Sequence, residues 1–381
     1  MRCGCKPRHN GPVARAPQLT DPWRLGPLEI PNRVLLAPLA GIGNWFVRLQ
    51  AKRYGAGMAV SEMVSSHAIH YRNERTLREL LRIHPDERRA GPHGYRAPTA
   101  IQLFGQEPEI MRLAAACAVA AGAEAIDINM GCPVPKVCRT GSGAALLGDP
   151  ARAVAVARAA REGAAEARAG EAGGSAAGGT SGGAAGGVPI TVKLRSGQRP
   201  GDTSGFELAQ RLVHDAGVAA IGFHPRSAAV HHKGTPDYAL AARLVEVLPA
   251  PVILTGGLHD AEAVRAAFAQ TGAAAVMLAR GALGNPWLFE QVLGAREDGP
   301  TPAEVRAELR WVMDRAAEHL GPERAARYLR KFYPWYVARL GLDRTHATAL
   351  QQSLHAAPDL ARARRLLEEL DPAGRPVALA A

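Results

Sequence analysis

The sequence contains few aromatic residues and no long apolar run. Phe, Trp and Tyr make up 5% of its 381 residues, although hydrophobic residues reach 47%, so a core must be built from aliphatic side chains and alanine. No stretch approaches the roughly 18 uncharged apolar residues that a membrane span needs. The basic N-terminus has no apolar segment after it, as a signal peptide would. We therefore expect a cytoplasmic protein with no membrane association.

Cysteine is scarce, with five residues in the whole chain. An odd number without a secretory signal excludes a fully paired disulfide framework. Cys132 and Cys138 are separated by five residues, which is not the spacing of a standard zinc-ligand pair. We therefore expect no bound metal.

Acidic residues are also in short supply. The chain has 46 Lys and Arg against 35 Asp and Glu, a net charge of +11 at pH 7. A surplus of this size indicates a polyanionic partner more than a neutral metabolite alone.

Short β-branched runs alternate with amphipathic stretches, which is the pattern of successive βα units. Strands are predicted at residues 33–37, 58–61, 99–103, 125–129, 190–194, 220–224, 252–255 and 275–278. Eight parallel strands with crossover helices over about 260 residues fit an α/β fold of the (β/α)8 TIM barrel type. A doubly wound sheet is the alternative, disfavoured because no G-x-G-x-x-G follows the first strand.

The barrel is predicted to occupy residues 20–298 and to be followed by a small C-terminal helical bundle at 302–370, with four Arg-rich helical stretches and no strand. Residues 1–19 and 371–381 are predicted to be tails. Residues 163–187 consist mostly of Gly, Ala, Ser and Glu and are predicted to be a disordered insertion, because they bury too little apolar surface to offset their ordering entropy.

Active sites of TIM barrels lie at the C-terminal ends of the strands, where this chain carries unusual polar residues. Lys193 ends an apolar strand, so we expect it to face an anionic or electron-rich ligand, the alternative being a Lys that reaches out to solvent. His224 follows the same reasoning, with a buried core His as the alternative. Gly256, Gly257 and Gly281 follow the last two strands, where barrels commonly bind phosphate, although glycine pairs also occur at ordinary turns.

Cys132 lies between Gly131 and Pro133 in a loop after the fourth strand. A glycine that lets the chain turn and a proline that fixes it present the thiol at the surface of the loop. A nucleophile, a metal ligand and a proton donor are the possible roles, and an unreactive thiol is the alternative.

Seven segments stand in the following order: APLAGIGNWFVR; IQLFG; IDINMGCPVPKV with GSGAALL; VPITVKLRSG; GFHPRS with HHKG; ILTGGL; and ARGALGNPWLF. In order and spacing they resemble the tRNA-dihydrouridine synthases, over residues 20–360. INMGCP followed by Lys and GSGA is the most specific part. The resemblance implies FMN at the barrel mouth, NADPH or NADH as the reductant, and tRNA as the substrate, whose uridines become 5,6-dihydrouridine. It implies no protein partner.

The resemblance also implies roles for individual residues. It assigns cofactor contacts to Pro38, Leu39, Gln102, Lys193, His224, Gly256, Gly257, Arg280 and Gly281. Asn129 would reach the uracil edge, and Cys132 would protonate C5 as hydride arrives at C6. Because charge then builds on C5 and the C4 carbonyl, the acid must stand on the side of the base away from the flavin. A thiol with the ordinary pKa of about 8.5 is mostly protonated at pH 7.

Two regions are expected to contact the rest of the tRNA. The family usually shows G-R-T-R-x-Q-x-Y-x-G after the histidine, and this chain keeps Arg226 but lacks the second Arg, the Gln and the Tyr. In the helical bundle, Arg327, Arg330 and Lys331 are expected to bind phosphates, since a uridine of folded tRNA must be flipped out by an enzyme that holds the backbone. A solvated helix face is the alternative.

Two other functions fit part of the pattern. A flavoenzyme like dihydroorotate dehydrogenase shares the barrel and the C5/C6 chemistry but would not need the basic helical bundle. A tRNA-binding protein without catalysis would not need Cys132, Lys193 and the glycine sites together.

Overall fold

A computed structural model describes residues 15–174 and 187–370 of the chain. Eight parallel strands form a closed barrel in chain order, with the last strand beside the first. They are β3 Val34–Leu36, β4 Met58–Ser65, β5 Thr99–Phe104, β6 Ala125–Met130, β7 Ile190–Arg195, β8 Ala220–His224, β9 Val252–Thr255 and β10 Ala275–Leu278. The predicted TIM barrel is confirmed. Three strands have the predicted bounds, and the others differ by a few residues at their ends.

A two-stranded antiparallel hairpin, β1 Trp23–Leu25 and β2 Leu28–Ile30, precedes the barrel and was not predicted. Its buried Trp23, Leu25 and Ile30 form one apolar cluster with residues at the N-terminal ends of the barrel strands, among them Met58. The hairpin therefore covers the end of the barrel opposite the strand C-termini. Three-residue strands are too short to show a period in the sequence.

Nine helices accompany the barrel in the described residues: α1 Trp45–Arg53, α2 Ser66–His70, α3 Pro108–Ala120, α4 Pro135–Cys138, α5 Pro150–Gly174, α6 Ser204–Ala216, α7 Tyr238–Val247, α8 Ala261–Thr271 and α9 Trp287–Leu293. A π turn lies at Thr76–Leu80, and 3₁₀ turns lie at Pro85–Arg88, Gly143–Gly148 and Arg280–Ala282. Aspartates begin several helices: Asp260, for example, accepts a hydrogen bond from the Ala263 N–H at 2.8 Å, which satisfies a free donor of the first turn. None of the described helices combines the length and apolar character of a membrane-spanning segment.

Residues 302–370, here called the helical region, form five helices, one more than predicted: α10 Pro302–Leu320, α11 Pro322–Leu329, α12 Tyr333–Val337, α13 Arg344–Ala356 and α14 Leu360–Glu368. They pack on α1 through a buried carboxylate. Glu308, 4% exposed, accepts hydrogen bonds from Gln50 Nε2 at 2.8 Å and Tyr54 Oη at 2.7 Å. Gln50 also donates to Tyr336 Oη at 2.8 Å. The helical region is thus held against the helix that follows the first barrel strand.

The prediction of disorder from residue 163 is wrong up to residue 174, because α5 continues to Gly174. Ala164 is buried, and Glu166 forms an ion pair with Arg112 of α3 at 2.7 Å. Gly163 faces α3 so closely that an added Cβ would lie 1.9 Å from the Arg112 carbonyl oxygen. Contacts with α3 therefore order a segment whose composition alone indicates disorder.

The rest of the predicted insertion, 175–186, lies outside the described residues, as do residues 1–14 and 371–381 of the predicted tails. The described part of the N-terminal tail is ordered against the barrel. Leu19 is buried, and its carbonyl accepts a hydrogen bond from the Arg33 N–H at 2.8 Å. The prediction that the tail extends to residue 19 is therefore wrong at Leu19, which packs in the hydrophobic core.

Two glycines of α5 give a test of this packing. We expect Gly163→Ala to lower the free energy of unfolding by about 1–3 kcal/mol, because the added methyl group overlaps the α3 backbone. Gly170→Ala is the control: no atom lies within 4 Å of its added Cβ, so we expect a gain of about 0.5–1 kcal/mol from better helix propensity. Urea denaturation measures both, and a gain at both positions would contradict the close approach of α5 to α3.

Candidate active site

The C-terminal ends of the barrel strands surround a cavity of about 430 Å³, here called the mouth. Ten of the residues singled out in the sequence line it: Pro38, Leu39, Gln102, Asn129, Cys132, Lys193, His224, Gly256, Gly257 and Arg280. Gly281 and Arg226 do not line it, and Arg327, Arg330 and Lys331 lie in the helical region. The barrel thus brings together side chains that are almost 250 residues apart in the chain.

Lys193 lies inside the barrel on β7, in register with Asn129 on β6. Burial lowers the pKa of Lys193 to about 8, with a further lowering from the neighbouring Arg195 charge, whereas Asp127 opposes the change. The ammonium group is therefore mostly charged at pH 7. Among the described residues, no hydrogen bond joins its Nζ to a protein group. Lys193 is intermediate in exposure, and a partly buried cation without a protein partner favours an anionic or electron-rich ligand.

Cys132 lies on a turn that the Asn129 side chain supports. Asn129 Oδ1 accepts hydrogen bonds from the backbone N–H groups of Gly131 at 3.2 Å and Cys132 at 2.9 Å. Asn129 Nδ2 donates to Gln102 Oε1 at 2.9 Å. Burial raises the pKa of the Cys132 thiol. The turn therefore presents a protonated thiol to the mouth.

Cys138, which had no role assigned from its position in the sequence, also supports this turn. Its thiol donates a hydrogen bond to the Cys132 carbonyl oxygen, with an Sγ–O distance of 3.3 Å. Gly143 lies against the same group, since its φ is +62° and an added Cβ would lie 2.7 Å from the Cys132 carbonyl oxygen. The GSGA segment after Cys132 is thus packed directly beneath the turn.

The imidazole of His224 is held neutral. The ring is 6% exposed, and its Nε2 lies 3.3 Å from Nη1 of Arg226. Because a guanidinium only donates, Nε2 must accept and the ring proton must be on Nδ1. Burial lowers the pKa of His224 strongly, and the charges of Lys193, Arg195 and Arg226 lower it further. The mouth therefore contains a neutral histidine beside its cations.

Two glycines follow β9 at the rim of the mouth, so the backbone there carries no side chains. Gly256 and Gly257 have φ values of +101° and +80°, and a Cβ at Gly256 would lie 2.5 Å from the His224 ring. Only glycine fits there. The Arg280 side chain lines the same cavity, so backbone and cation together fit a phosphate group. Gly281 lies just behind, packed against the Leu258 carbonyl oxygen, 2.7 Å from an added Cβ.

Arg195 joins two loops of the mouth and was assigned no role from the sequence. Its Nε donates to the Gly131 carbonyl oxygen at 3.0 Å, and its Nη1 donates to the carbonyl oxygens of Ser227 at 3.0 Å and His231 at 2.6 Å. His231 has a left-handed φ of +53°. Arg195 thereby fixes the loop that departs from the family pattern. Its position at the end of β7 was the only sequence signal.

Arg226, predicted to contact the substrate, is 7% exposed. It donates to the Gly234 carbonyl oxygen through Nε at 3.1 Å and Nη2 at 2.7 Å. Its third contact is the one to His224. In this structure its donors therefore organise the loop and the histidine from outside the mouth.

Lys331 and Tyr328 of the helical region hold the loop that follows β3. Lys331 Nζ donates to the Gly41 carbonyl oxygen at 2.5 Å and lies 3.8 Å from the centre of the Tyr328 ring. Tyr328 Oη accepts from Asn44 Nδ2 at 2.7 Å and donates to the Ile42 carbonyl oxygen at 3.2 Å. These contacts flank the loop residues that line the mouth.

The three predicted phosphate-binding residues therefore differ in their surroundings. All three residues are exposed, but the Lys331 ammonium already binds the Gly41 carbonyl oxygen in the β3 loop. Arg327 and Lys331 line a second cavity of about 520 Å³, between the barrel and the helical region. Two further arginines, Arg75 and Arg324, line it as well.

Comparisons with known proteins point to one family. The family model for dihydrouridine synthases matches residues 35–166 and 182–371. The chain is 32% identical over 322 residues to tRNA-dihydrouridine synthase B of Pseudomonas aeruginosa, covering 83% of this chain and 87% of the relative. It is 33% identical over 354 residues to the probable tRNA-dihydrouridine synthase 1 of Synechocystis sp., covering 91% and 89%.

Solved structures share the fold at low sequence identity. Morphinone reductase superposes with a TM-score of 0.51 and 17% identity, covering 75% of this chain and 92% of that chain. A 2-naphthoyl-CoA reductase complex superposes with a TM-score of 0.53 and 12% identity, covering 73% and 52%. At this identity the likeness shows a shared fold only.

Proposed function

The chain belongs to the dihydrouridine synthase family, and from that premise we propose that it reduces uridines of tRNA to 5,6-dihydrouridine, with FMN as cofactor and NADPH, or NADH, as reductant. The observation that carries the proposal is the protonated Cys132 thiol on a turn of the same mouth that holds Lys193 and the bare glycine backbone. The family match favours this function over that of a dihydroorotate dehydrogenase-like enzyme. A protein that only bound tRNA would not require this mouth.

The residues of the mouth fit FMN. A Cβ would collide with His224 at Gly256 and with Tyr238 at Gly257, so this backbone carries no side chain, and we place the phosphate against it beside Arg280. Lys193 supplies a positive charge for an electron-rich ring, and neutral His224 offers the Nδ1–H donor. The residues that would hold the cofactor are Pro38, Leu39, Gln102, Lys193, His224, Gly256, Gly257 and Arg280, with Gly281 behind them. When bound, the flavin supplies the hydride for C6 of the base.

Cys132 supplies the proton for C5. As C6 gains hydride, negative charge spreads over C5 and the C4 carbonyl, and a neutral acid close to C5 removes that charge. Burial keeps the Cys132 pKa above its ordinary value, so the thiol holds its proton at pH 7. Asn129, which fixes the turn, also remains the predicted contact to the uracil edge. Arg195 keeps the two loops of the mouth together around the base.

Exposed arginines of the helical region would bind the tRNA backbone. We assign this role to Arg327 and Arg330, whose side chains are free to reach a ligand at the surface, and treat residues 302–370 as the tRNA-binding part of the chain. Lys331 would act through the β3 loop instead, because its ammonium already binds the Gly41 carbonyl. Arg226 would orient His224 and the loop of residues 225–234.

The function is tested directly on the purified protein. We expect it to carry a flavin that is released as FMN. We also expect it to convert unmodified tRNA, with NADPH, into a product in which a uridine has gained two hydrogens, detected by mass spectrometry of the digested tRNA. A flavin-free protein, or a flavin-loaded one that leaves every uridine unchanged, would overturn the proposal.

The role of Cys132 is tested by Cys132→Ala. We expect this variant to keep its flavin and to be reduced by NADPH at a rate near that of the wild type, because neither step moves a proton to C5. Oxidation of the reduced enzyme by tRNA should slow by about 10²- to 10⁴-fold. Cys138→Ser is the matched control, since it removes the other thiol of this turn while its hydroxyl can still donate to the Cys132 carbonyl oxygen. Equal effects of the two substitutions in single-turnover oxidation by tRNA would exclude Cys132 as the acid.

The tRNA surface is tested by salt dependence. We expect Arg327→Gln with Arg330→Gln to weaken tRNA binding and to reduce the slope of log K against log salt by up to about one unit per lost phosphate contact. Lys331→Met should change this slope less, while loosening the β3 loop. A binding titration at several salt concentrations measures both variants. An unchanged slope for the double variant would place the tRNA elsewhere.

A further inference from the structure

Asp127 is a buried carboxylate beneath the mouth that the function proposed above does not use. It lies on β6, is 3% exposed, and is in register with Gln102 on β5 and Thr191 on β7. It accepts hydrogen bonds from Thr191 Oγ1 at 2.6 Å and from Gln102 Nε2 at 2.6 Å. The three side chains therefore form one polar layer across three neighbouring strands.

In this layer Gln102 and Thr191 are the donors, and Asp127 accepts both hydrogen bonds. The Gln102 amide nitrogen can only donate, and it donates to Asp127 Oδ2, so Gln102 Oε1 faces the other side. Asn129 then donates Nδ2 to Gln102 Oε1. This leaves Asn129 Oδ1 to accept the backbone N–H groups of Gly131 and Cys132. Asp127, the acceptor at one end of this series of hydrogen bonds, thus determines the orientation of the Gln102 and Asn129 amides. The Asn129 amide in turn supports the Cys132 turn.

Two influences on the pKa of Asp127 oppose each other, and burial is the larger. Burial raises the pKa of Asp127, whereas the hydrogen bonds from Thr191 and Gln102 and the charge of Lys193 oppose the rise. The Gln102 amide nitrogen has no lone pair to offer, so it requires an acceptor at Asp127.

We propose that Asp127 is a positioning residue for Cys132: it fixes the amide orientations of Gln102 and Asn129, and through them the turn that presents the thiol. The inference rests on the proposed function only in taking Cys132 as the acid. A role in stability alone is a poor reason for the carboxylate, because well-packed apolar residues usually replace buried charges without loss of stability. To hold the Gln102 amide in its orientation, in contrast, the protein requires a hydrogen-bond acceptor at position 127.

The experiment compares substitutions that keep or remove the acceptor. Asp127→Asn keeps it, since the new amide can accept from Gln102 through Oδ1 and donate to Thr191 Oγ1. Asp127→Ala removes it. Thr191→Val is the control, because it deletes the other hydrogen bond of Asp127 and leaves Gln102 held. Gln102→Met interrupts this series of hydrogen bonds one step nearer to Cys132. It takes the place of Asp127→Ala if that variant does not fold.

Two measurements are made on each purified full-length protein. The first is the rate at which iodoacetamide alkylates Cys132, followed by peptide mass spectrometry, which requires no turnover. The second is single-turnover oxidation of the reduced enzyme by tRNA. We expect Asp127→Ala to alkylate faster than the wild type and to lose about 10²-fold in the second rate, as a small misplacement of a reacting group does. Asp127→Asn and Thr191→Val should stay close to the wild type in both.

Equal behaviour of Asp127→Ala and Thr191→Val would overturn the inference, as would an Asp127→Asn variant as impaired as Asp127→Ala. Failure of the proposed function has a different signature. In that case the wild type does not reduce tRNA, while the alkylation rates still separate the variants that keep the acceptor from those that lack it.

Discussion

The interior of the closed barrel excludes most water, so its polar side chains need partners from neighbouring strands or from a ligand at the mouth. This constraint explains why the interior polar residues occur in connected sets. Asp127 takes its two donors from the neighbouring strands and lies within reach of the Lys193 charge. On the outer side of the barrel, Lys52 is likewise buried and donates to Thr99 Oγ1 at 2.6 Å and to the Glu87 carbonyl oxygen at 3.0 Å. Lys193 makes no such hydrogen bond within the described residues, and its pKa is lowered to about 8.

Burial also decides the protonation states on which the chemistry depends. The same loss of water raises the pKa of the Cys132 thiol, lowers the pKa of Lys193 to about 8 and lowers the pKa of His224. The result is a mouth with a protonated thiol, a neutral imidazole and a cation at pH 7. The thiol is then suited to proton donation, the imidazole to hydrogen bonding without charge, and the cation to stabilisation of negative charge.

The helical region contributes to the mouth as well as to the surface. Its Tyr328 and Lys331 bind the loop after β3, and its Glu308 binds the helix that follows this loop. The first barrel loop and the helix after it are therefore held by residues about 250 to 290 positions later in the chain. The region to which we assign tRNA binding thus also fixes a wall of the mouth.

Local patterns determined the architecture and the centre of the site. Apolar β-branched runs indicate strands, and in a barrel the C-terminal end of a strand is also the edge of the mouth. The location of Lys193, His224 and Cys132 in the site could therefore be predicted from their positions in the sequence alone. The roles of FMN, NADPH and individual residues came from the resemblance of the motifs, and the family was confirmed by the match over most of the chain.

Tertiary structure decided the rest, because contacts between segments far apart in the chain leave no local trace. Composition indicates disorder after residue 163, but α3 orders the helix up to Gly174. A basic helix face suggests phosphate contacts, yet Lys331 binds the Gly41 carbonyl. Arg195 and Asp127 sit in strands whose sequence shows their polarity but not their partners. Those partners are set by strand register and loop packing, which exist only once the barrel has closed.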